Sequence, residues 1–80
     1  MQLGREELID MIRDGLLRRG LVAPRVIVES EDGVHFRAVV EAEEFAGMPL
    51  LARHRMVYET LGEHMGAAVH ALSIETRAPA

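Results

Sequence analysis

The chain has 80 residues, a length that allows one compact domain with a modest core. Its apolar fraction of 49% and charged fraction of 28% are those of a globular protein rather than a disordered one. The absence of cysteine excludes disulfides, cysteine zinc sites and a thiol nucleophile, and the net charge of -4 argues against a protein dedicated to neutralising phosphates. No apolar stretch approaches the roughly 20 residues that span a bilayer. We therefore expect a single cytoplasmic domain over residues 1–80 that does not contact membranes.

The first half of the chain predicts one helix followed by a β-hairpin. Between Gly4 and Arg19 the apolar residues recur every three or four positions, which is typical of a helix with one apolar face, and Gly20 is expected to end it. Two runs rich in β-branched residues, 25–29 and 35–41, flank an Asp-Gly pair of the kind that forms hairpin turns. We expect these two strands to pair antiparallel.

The second half predicts a short helical turn over 43–47, a longer helix and a third strand. Pro49 is placed at the first position of the long helix and Gly66 at its end. One face of this helix is expected to carry the residues Leu50, His54, Val57, Leu61 and Met65. Residues 69–76 alternate as a strand does, and Pro79 follows them.

The order of elements predicts an α+β fold, αββααβ, with a three-stranded mixed sheet and helices packed on one face as an α/β sandwich. A strand that is followed by a helical crossover into the same sheet normally has a parallel partner, so the third strand should run parallel to the second. His35 and His70 stand at the starts of these two strands. We therefore expect both imidazoles at the same edge of the sheet, near the hairpin loop.

Three segments together resemble the BolA family. The first is Val34-His35-Phe36 with Phe45-Ala46-Gly47, the second is Arg53-His54-Arg55-Met56-Val57-Tyr58 with Leu61, and the third is Val69-His70-Ala71-Leu72-Ser73-Ile74 with Pro79. The resemblance implies a fold similar to type II KH domains and a non-enzymatic role in iron-sulfur cluster assembly and iron homeostasis. It also implies a partnership with a monothiol glutaredoxin and its glutathione, in which a [2Fe-2S] cluster is shared across the heterodimer. By the same resemblance, His70 is the cluster ligand and His35 the second candidate ligand.

The chemistry of the chain is compatible with a shared cluster. Two imidazoles can replace two thiolates on one iron of a [2Fe-2S] centre, as in Rieske sites. Because this chain has no cysteine, the remaining thiolates must come from a partner. Isolated protein is expected to be colourless and metal-free, as a monomer or weak homodimer.

Each histidine also has a purely structural interpretation. Strand alternation places His70 on the same face as Leu72 and Ile74, where a core histidine would hydrogen-bond a backbone group; the resemblance favours a ligand. For His35 the alternative is a solvated residue at a hairpin end. His54 is predicted to be a hydrogen-bonded core residue of the long helix. His64 is expected near a helix end, with no assigned function.

The long helix also carries a nucleic-acid alternative. Arg53 and Arg55 could contact DNA, since transcriptional regulation of stress response and cell morphology is also reported in the BolA family. The competing interpretation is a solvated helix face on which these arginines pair with Glu59 and Glu63. A KH domain that grips single strands needs a Gly-X-X-Gly loop, and none is present. No serine, histidine and carboxylate set converges by spacing, and no glycine-rich phosphate loop occurs, so we do not expect an enzyme.

Overall fold

The computed structural model describes residues 3–62 and 72–79 and confirms the α+β fold with a three-stranded mixed sheet. Its elements are α1 (Arg5–Arg18), β1 (Arg25–Glu29), β2 (Phe36–Glu41), a 3-10 turn (Glu43–Phe45), α2 (Leu50–Leu61) and β3 (Leu72–Arg77). Six residues for which the sequence makes predictions lie outside the described residues: Glu63, His64, Met65, Gly66, Val69 and His70.

The first helix has a cap at each end that its sequence encodes. Glu7 accepts a hydrogen bond from the backbone N–H of Gly4 at 3.0 Å, which satisfies a donor that the helix itself leaves free. At the other end Gly20 adopts φ +94°, and the N–H groups of Gly20 and Leu21 bond back to the carbonyls of Leu17 and Leu16. This is the Schellman arrangement that a glycine after a helix favours.

The sheet has the strand order β1-β2-β3, with β2 in the centre. β1 and β2 are antiparallel, with Glu29 opposite Arg37, and β2 and β3 are parallel, with Phe36 opposite Leu72. The predicted hairpin and the predicted parallel crossover are therefore both confirmed. β2 starts at Phe36 rather than at His35, so His35 is the last residue of the hairpin loop.

The core lies between the helices and one face of the sheet. Its buried side chains come from both helices, all three strands and the 3-10 turn: Leu8, Ile12, Leu16, Val28, Phe36, Ala38, Val40, Phe45, Val57, Leu61 and Leu72. The other face of the sheet carries ion pairs across all three strands, because Arg37 on β2 binds Glu29 on β1 and Glu75 on β3. One face of the sheet thus anchors the helices, and the other, the polar face, carries these ion pairs together with the apolar residues Ile27 and Val39.

The second helix differs from the prediction in its ends and in its rotation. Pro49 caps it rather than occupying its first turn, and it ends at Leu61, before Gly66, because Gly62 leaves helical geometry at φ +55°. Leu50 is 61% exposed, which contradicts its predicted place on the core face.

A close approach of the two helices sets the rotation of α2. A Cβ atom at Gly15 would lie 2.6 Å from that of Thr60, so only glycine lets the helices come this near. Val57 and Leu61 then face the core, with Met56 packed against it.

In the described part of the chain, neither helix combines the length and apolarity needed to cross a membrane.

Candidate functional site

The hairpin loop fixes the position of His35 through its neighbour Asp32. One carboxylate oxygen of Asp32, Oδ2, lies 2.8 Å from Nδ1 of the His35 ring. The other oxygen, Oδ1, accepts hydrogen bonds from the backbone N–H groups of Val34 and His35, both at 2.9 Å. One aspartate therefore holds both the backbone and the ring of His35.

Ser30, the residue that follows β1, closes the same loop. Its hydroxyl donates to the carbonyl of His35 at 2.7 Å and accepts the N–H of Gly33 at 2.8 Å. Gly33 has φ +74°, a left-handed conformation that favours glycine, which explains the Asp-Gly pair of the sequence. The backbone of His35 is thus bound at its N–H by Asp32 and at its carbonyl by Ser30.

The hydrogen bonds to Asp32 have a clear electrostatic effect. The contact with the His35 ring, followed by the N–H groups of His35 and Val34, lowers the pKa of the Asp32 carboxyl well below its ordinary value of 3.8. Asp32 is therefore ionised at neutral pH. An ionised carboxylate only accepts hydrogen bonds, so a neutral His35 ring must carry its proton on Nδ1.

This protonation leaves Nε2 as the nitrogen with a free lone pair. The His35 side chain is 74% exposed, and Nε2 makes no hydrogen bond to any residue in the ranges 3–62 and 72–79. Metal-binding histidines commonly donate their second ring N–H to a carboxylate, which is the arrangement of His35 and Asp32. His35 is therefore suited to bind a metal through Nε2.

The surroundings of His35 form an open groove on the polar face of the sheet. It is lined by Glu29, Ser30, Glu31, Asp32, His35, Phe36, Arg37 and Ser73. No group of three His, Asp or Glu side chains among the described residues is arranged to hold a metal ion. These described residues therefore contain one preorganised candidate ligand, His35, and no complete metal centre.

His70, which the resemblance makes the principal ligand, lies outside the described residues. It stands two positions before Leu72 in the sequence, and Leu72 is the register partner of Phe36, the residue after His35. The starts of β2 and β3 do lie side by side, as the crossover argument predicts.

The two arginines of the nucleic-acid alternative differ in their surroundings. Arg53 is half-buried, and its Nε donates to the carbonyl of Met48 at 3.0 Å. Arg55 is exposed. Neither pairs with Glu59, which binds Arg19, the residue that follows α1, at 3.0 Å instead. The predicted ion pairs with Glu59 are wrong, because the close helix crossing brings α1 within its reach.

His54 is half-buried rather than a core residue. It lines a second groove on the outer side of α2, together with Arg19, Leu51, Arg55, Tyr58, Glu59 and Gly62. The core position predicted for His54 is wrong: Val57 and Leu61 of the same predicted face are buried as expected, but the rotation of α2 packs Met56 rather than His54 against the core.

Sequence reasoning missed Asp32 and Ser30 as members of the site. A signal was present, because Asp32 precedes His35 by three residues in a turn-forming segment, and Asp and Ser side chains often bond the backbone two or three residues on. The additional bond from Asp32 to the ring depends on the loop conformation, which the spacing alone does not define.

Comparison with known proteins identifies the family. Residues 19–80 match the family model described as BolA-like protein. Among solved structures, a bolA protein homologue from Coxiella burnetii is 40% identical with a TM-score of 0.78, and the match covers 98% of this chain and 94% of that protein. The chain therefore belongs to the BolA family.

Two curated relatives match a shorter segment. BolA-like protein 1 of Mus musculus is 48% identical over 46 residues, which cover 58% of this chain and 34% of the mouse protein. The DNA-binding transcriptional regulator BolA of Escherichia coli K12 is 45% identical over 42 residues, which cover 52% of this chain and 40% of the bacterial protein. The matched segment thus spans less than half of either relative, and neither name denotes an enzyme.

Proposed function

We propose that this chain is an adaptor that binds a [2Fe-2S] cluster jointly with a monothiol glutaredoxin and its glutathione, for cluster assembly or transfer. His35 and His70 are the ligands that this chain contributes. The observation that carries the proposal is the hydrogen bond of 2.8 Å between Asp32 and Nδ1 of His35, which leaves Nε2 available for iron.

The donor set of the chain suits half of a cluster site. Imidazoles can replace thiolates on one iron of a [2Fe-2S] cluster, and with no cysteine this chain must leave the remaining positions to sulfur from a partner. When bound, the cluster supplies redox-active iron and sulfide as cargo. The residues of this chain bind and orient: His35 offers Nε2, Asp32 holds Nδ1, and Ser30 fixes the loop.

The sheet supports a site shared by His35 and His70. Phe36 and Leu72 are register partners, and the two histidines precede them by one and two residues in the sequence. Neighbouring strands lie about 4.8 Å apart, a spacing that suits two ligands of one metal cluster.

The test combines this protein with a monothiol glutaredoxin loaded with a [2Fe-2S] cluster and glutathione. Visible absorption and circular dichroism are recorded for wild type, H35A and H70A. Wild type should change the cluster spectrum at one equivalent, and each variant should lose that change in whole or in part. Spectra identical to wild type for both variants would contradict the proposal.

His54→Ala is the matched control. It removes an imidazole that lies on α2, away from the hairpin loop, and is only half-buried. The H54A spectrum should equal that of wild type. A loss as large as that of H35A would mean that the assay reports general damage rather than ligation.

A second candidate function is transcriptional regulation through DNA binding. The similarity to the E. coli regulator favours it, as does the exposed position of Arg55. DNA binding that depends on phosphate contacts weakens steeply as salt rises. The logarithm of the binding constant falls with the logarithm of the salt concentration, with a slope of about 0.9 for each phosphate contact. If Arg55 binds phosphate, R55A should reduce the slope by about one contact. Binding to duplex DNA that is independent of both salt and Arg55 would contradict this candidate.

A further inference from the structure

We infer that Asp32 is a positioning residue that sets the tautomer of His35 and thereby selects Nε2 as the ligand atom. The tautomer is a property of the protein by itself. Its use in cluster binding rests on the proposed function, so the two parts are tested separately below.

The carboxylate of Asp32 is held in place before it meets the ring. Its Oδ1 accepts two backbone N–H groups at 2.9 Å, from Val34 and His35. Rotation of the carboxylate would break both bonds. Oδ2 is therefore fixed at 2.8 Å from Nδ1 of His35.

The direction of the ring hydrogen bond follows from the acceptor. Ionised carboxylates have no proton to donate, so Nδ1 is the donor and carries the hydrogen. In a neutral imidazole only one nitrogen is protonated, and the other keeps its lone pair. Asp32 thus assigns the free lone pair to Nε2, on a side chain that is largely exposed.

The loop also places the ring before any partner arrives. Ser30 binds the carbonyl of His35 and the N–H of Gly33, so that both ends of the turn are tied. A ligand that is already oriented loses less conformational entropy on binding than a free surface histidine does. A solvated histidine at a hairpin end would have neither constraint.

Asp32→Asn tests the inference because it preserves shape and reverses one hydrogen bond. The Asn carbonyl oxygen can still accept the N–H groups of Val34 and His35, which keeps the turn. The amide NH₂ then faces Nδ1 of His35 and donates to it. The ring proton should move to Nε2, which removes the lone pair from that atom.

The measurement is long-range ¹⁵N–¹H correlation NMR on the protein alone, labelled with ¹⁵N in histidine, at alkaline pH where imidazoles are neutral. In wild type, His35 should show a protonated Nδ1 and an unprotonated Nε2, and D32N should show the reverse. S30A, which loosens the loop and leaves Asp32 in place, should keep the wild-type tautomer. The His54 signals should not change in either variant.

Two results would overturn the inference. One is a wild-type His35 that is protonated mainly at Nε2, a result that needs no variant and stands even if D32N fails to fold. The other is a D32N protein that retains the backbone signals of β2 (Phe36–Glu41) and shows the wild-type tautomer.

A cluster titration separates this inference from the proposed function. Loss of a partner that orients a metal-binding histidine typically weakens metal affinity about 10- to 100-fold, and D32N should weaken the glutaredoxin-cluster complex to that extent. If the tautomer reverses in D32N and both H35A and H70A change the cluster spectrum as wild type does, the proposed function fails and the tautomer assignment stands. If H35A loses the spectral change that wild type causes and D32N has no effect on the affinity for the cluster-loaded glutaredoxin, only the selection of Nε2 by Asp32 fails.

Discussion

Phe36 on β2 and Leu72 on β3 are register partners in the parallel pair of strands. Both side chains are buried at the start of their strands, at 5% and 8% exposure. They anchor one end of the sheet, next to His35 at the end of the hairpin loop. The apolar pair thus gives His35, the exposed candidate ligand, a rigid base, and a rigid base improves the precision of a binding site.

The contact between Gly15 and Thr60 should be intolerant of a single methyl group. A Cβ at position 15 would lie 2.6 Å from Cβ of Thr60, so the helices would have to separate. We expect Gly15→Ala to lower the free energy of unfolding by about 1–3 kcal/mol, as overpacking does. Helix propensity alone predicts the opposite sign, a gain of about 1 kcal/mol.

Urea unfolding of Gly15→Ala measures this effect directly. The variant T60G removes the Cβ with which the new methyl group would clash. In the T60G background, Gly15→Ala should therefore lower the free energy of unfolding by less than it does in wild type. A G15A protein that is more stable than wild type would show that the helices are not packed this closely.

Thr76 carries a buried hydroxyl that finds no hydrogen-bond partner among the described residues. Such a group costs about 1–3 kcal/mol, so Thr76→Val, which keeps the shape, should raise the free energy of unfolding by about 1 kcal/mol. Thr60→Val is the matched control, because the Thr60 hydroxyl donates to the carbonyl of Val57 at 2.6 Å. Denaturant titrations should show a gain for T76V and none for T60V; equal effects would contradict the assignment.

Glu75 should make the fold sensitive to acid. Its hydrogen bonds to Arg77 and Arg37 lower the pKa of the carboxyl below the ordinary value of 4.5. A lowered folded-state pKa contributes stability above pH 4.5 that is lost as the pH falls below that value. Wild type should therefore exceed Glu75→Gln in stability at pH 7, and the difference should shrink at pH 3 and in high salt. A difference that grows towards pH 3 would have the wrong sign.

Substitutions of Arg53 and Arg55 should differ in their effect on stability, because Arg53 has a structural role and Arg55 lies on the surface. Arg53 is half-buried and donates to the carbonyl of Met48, so Arg53→Ala should lower the free energy of unfolding by about 1 kcal/mol. Arg55 is exposed, and Arg55→Ala should stay within about 0.5 kcal/mol of wild type. Thermal or denaturant unfolding of the two variants measures both effects. A larger loss in the free energy of unfolding for R55A than for R53A would contradict these roles.

The elements of the fold could be predicted because they depend on local patterns. Helix α1, the hairpin and the parallel pairing of β2 with β3 follow from apolar spacing, the Asp-Gly pair and the handed crossover. The rotation of α2 could not be predicted in this way. It depends on the fit of Thr60 against Gly15, a contact between residues 45 positions apart in a sequence that shows only a glycine in a helix.

The candidate site was predictable in part. His35 could be placed at the edge of the sheet because the sequence predicts it at the start of a strand, whereas its link to Asp32 depends on loop geometry. The identity of the candidate ligands and of the partner came from the resemblance to the BolA family, since spacing alone gives a solvated hairpin residue. The assignment of His70 stays a prediction.

Pulsed electron paramagnetic resonance tests the ligation by histidine most directly. The complex is formed from this chain labelled with ¹⁵N in histidine and an unlabelled, cluster-loaded monothiol glutaredoxin, and its cluster is reduced to the paramagnetic state. We predict ¹⁵N hyperfine couplings from coordinated imidazole. These couplings should be weaker in H35A and in H70A, absent in the double variant H35A/H70A and the same as wild type in H54A. A reduced cluster in the intact complex that shows no ¹⁵N coupling would contradict the account.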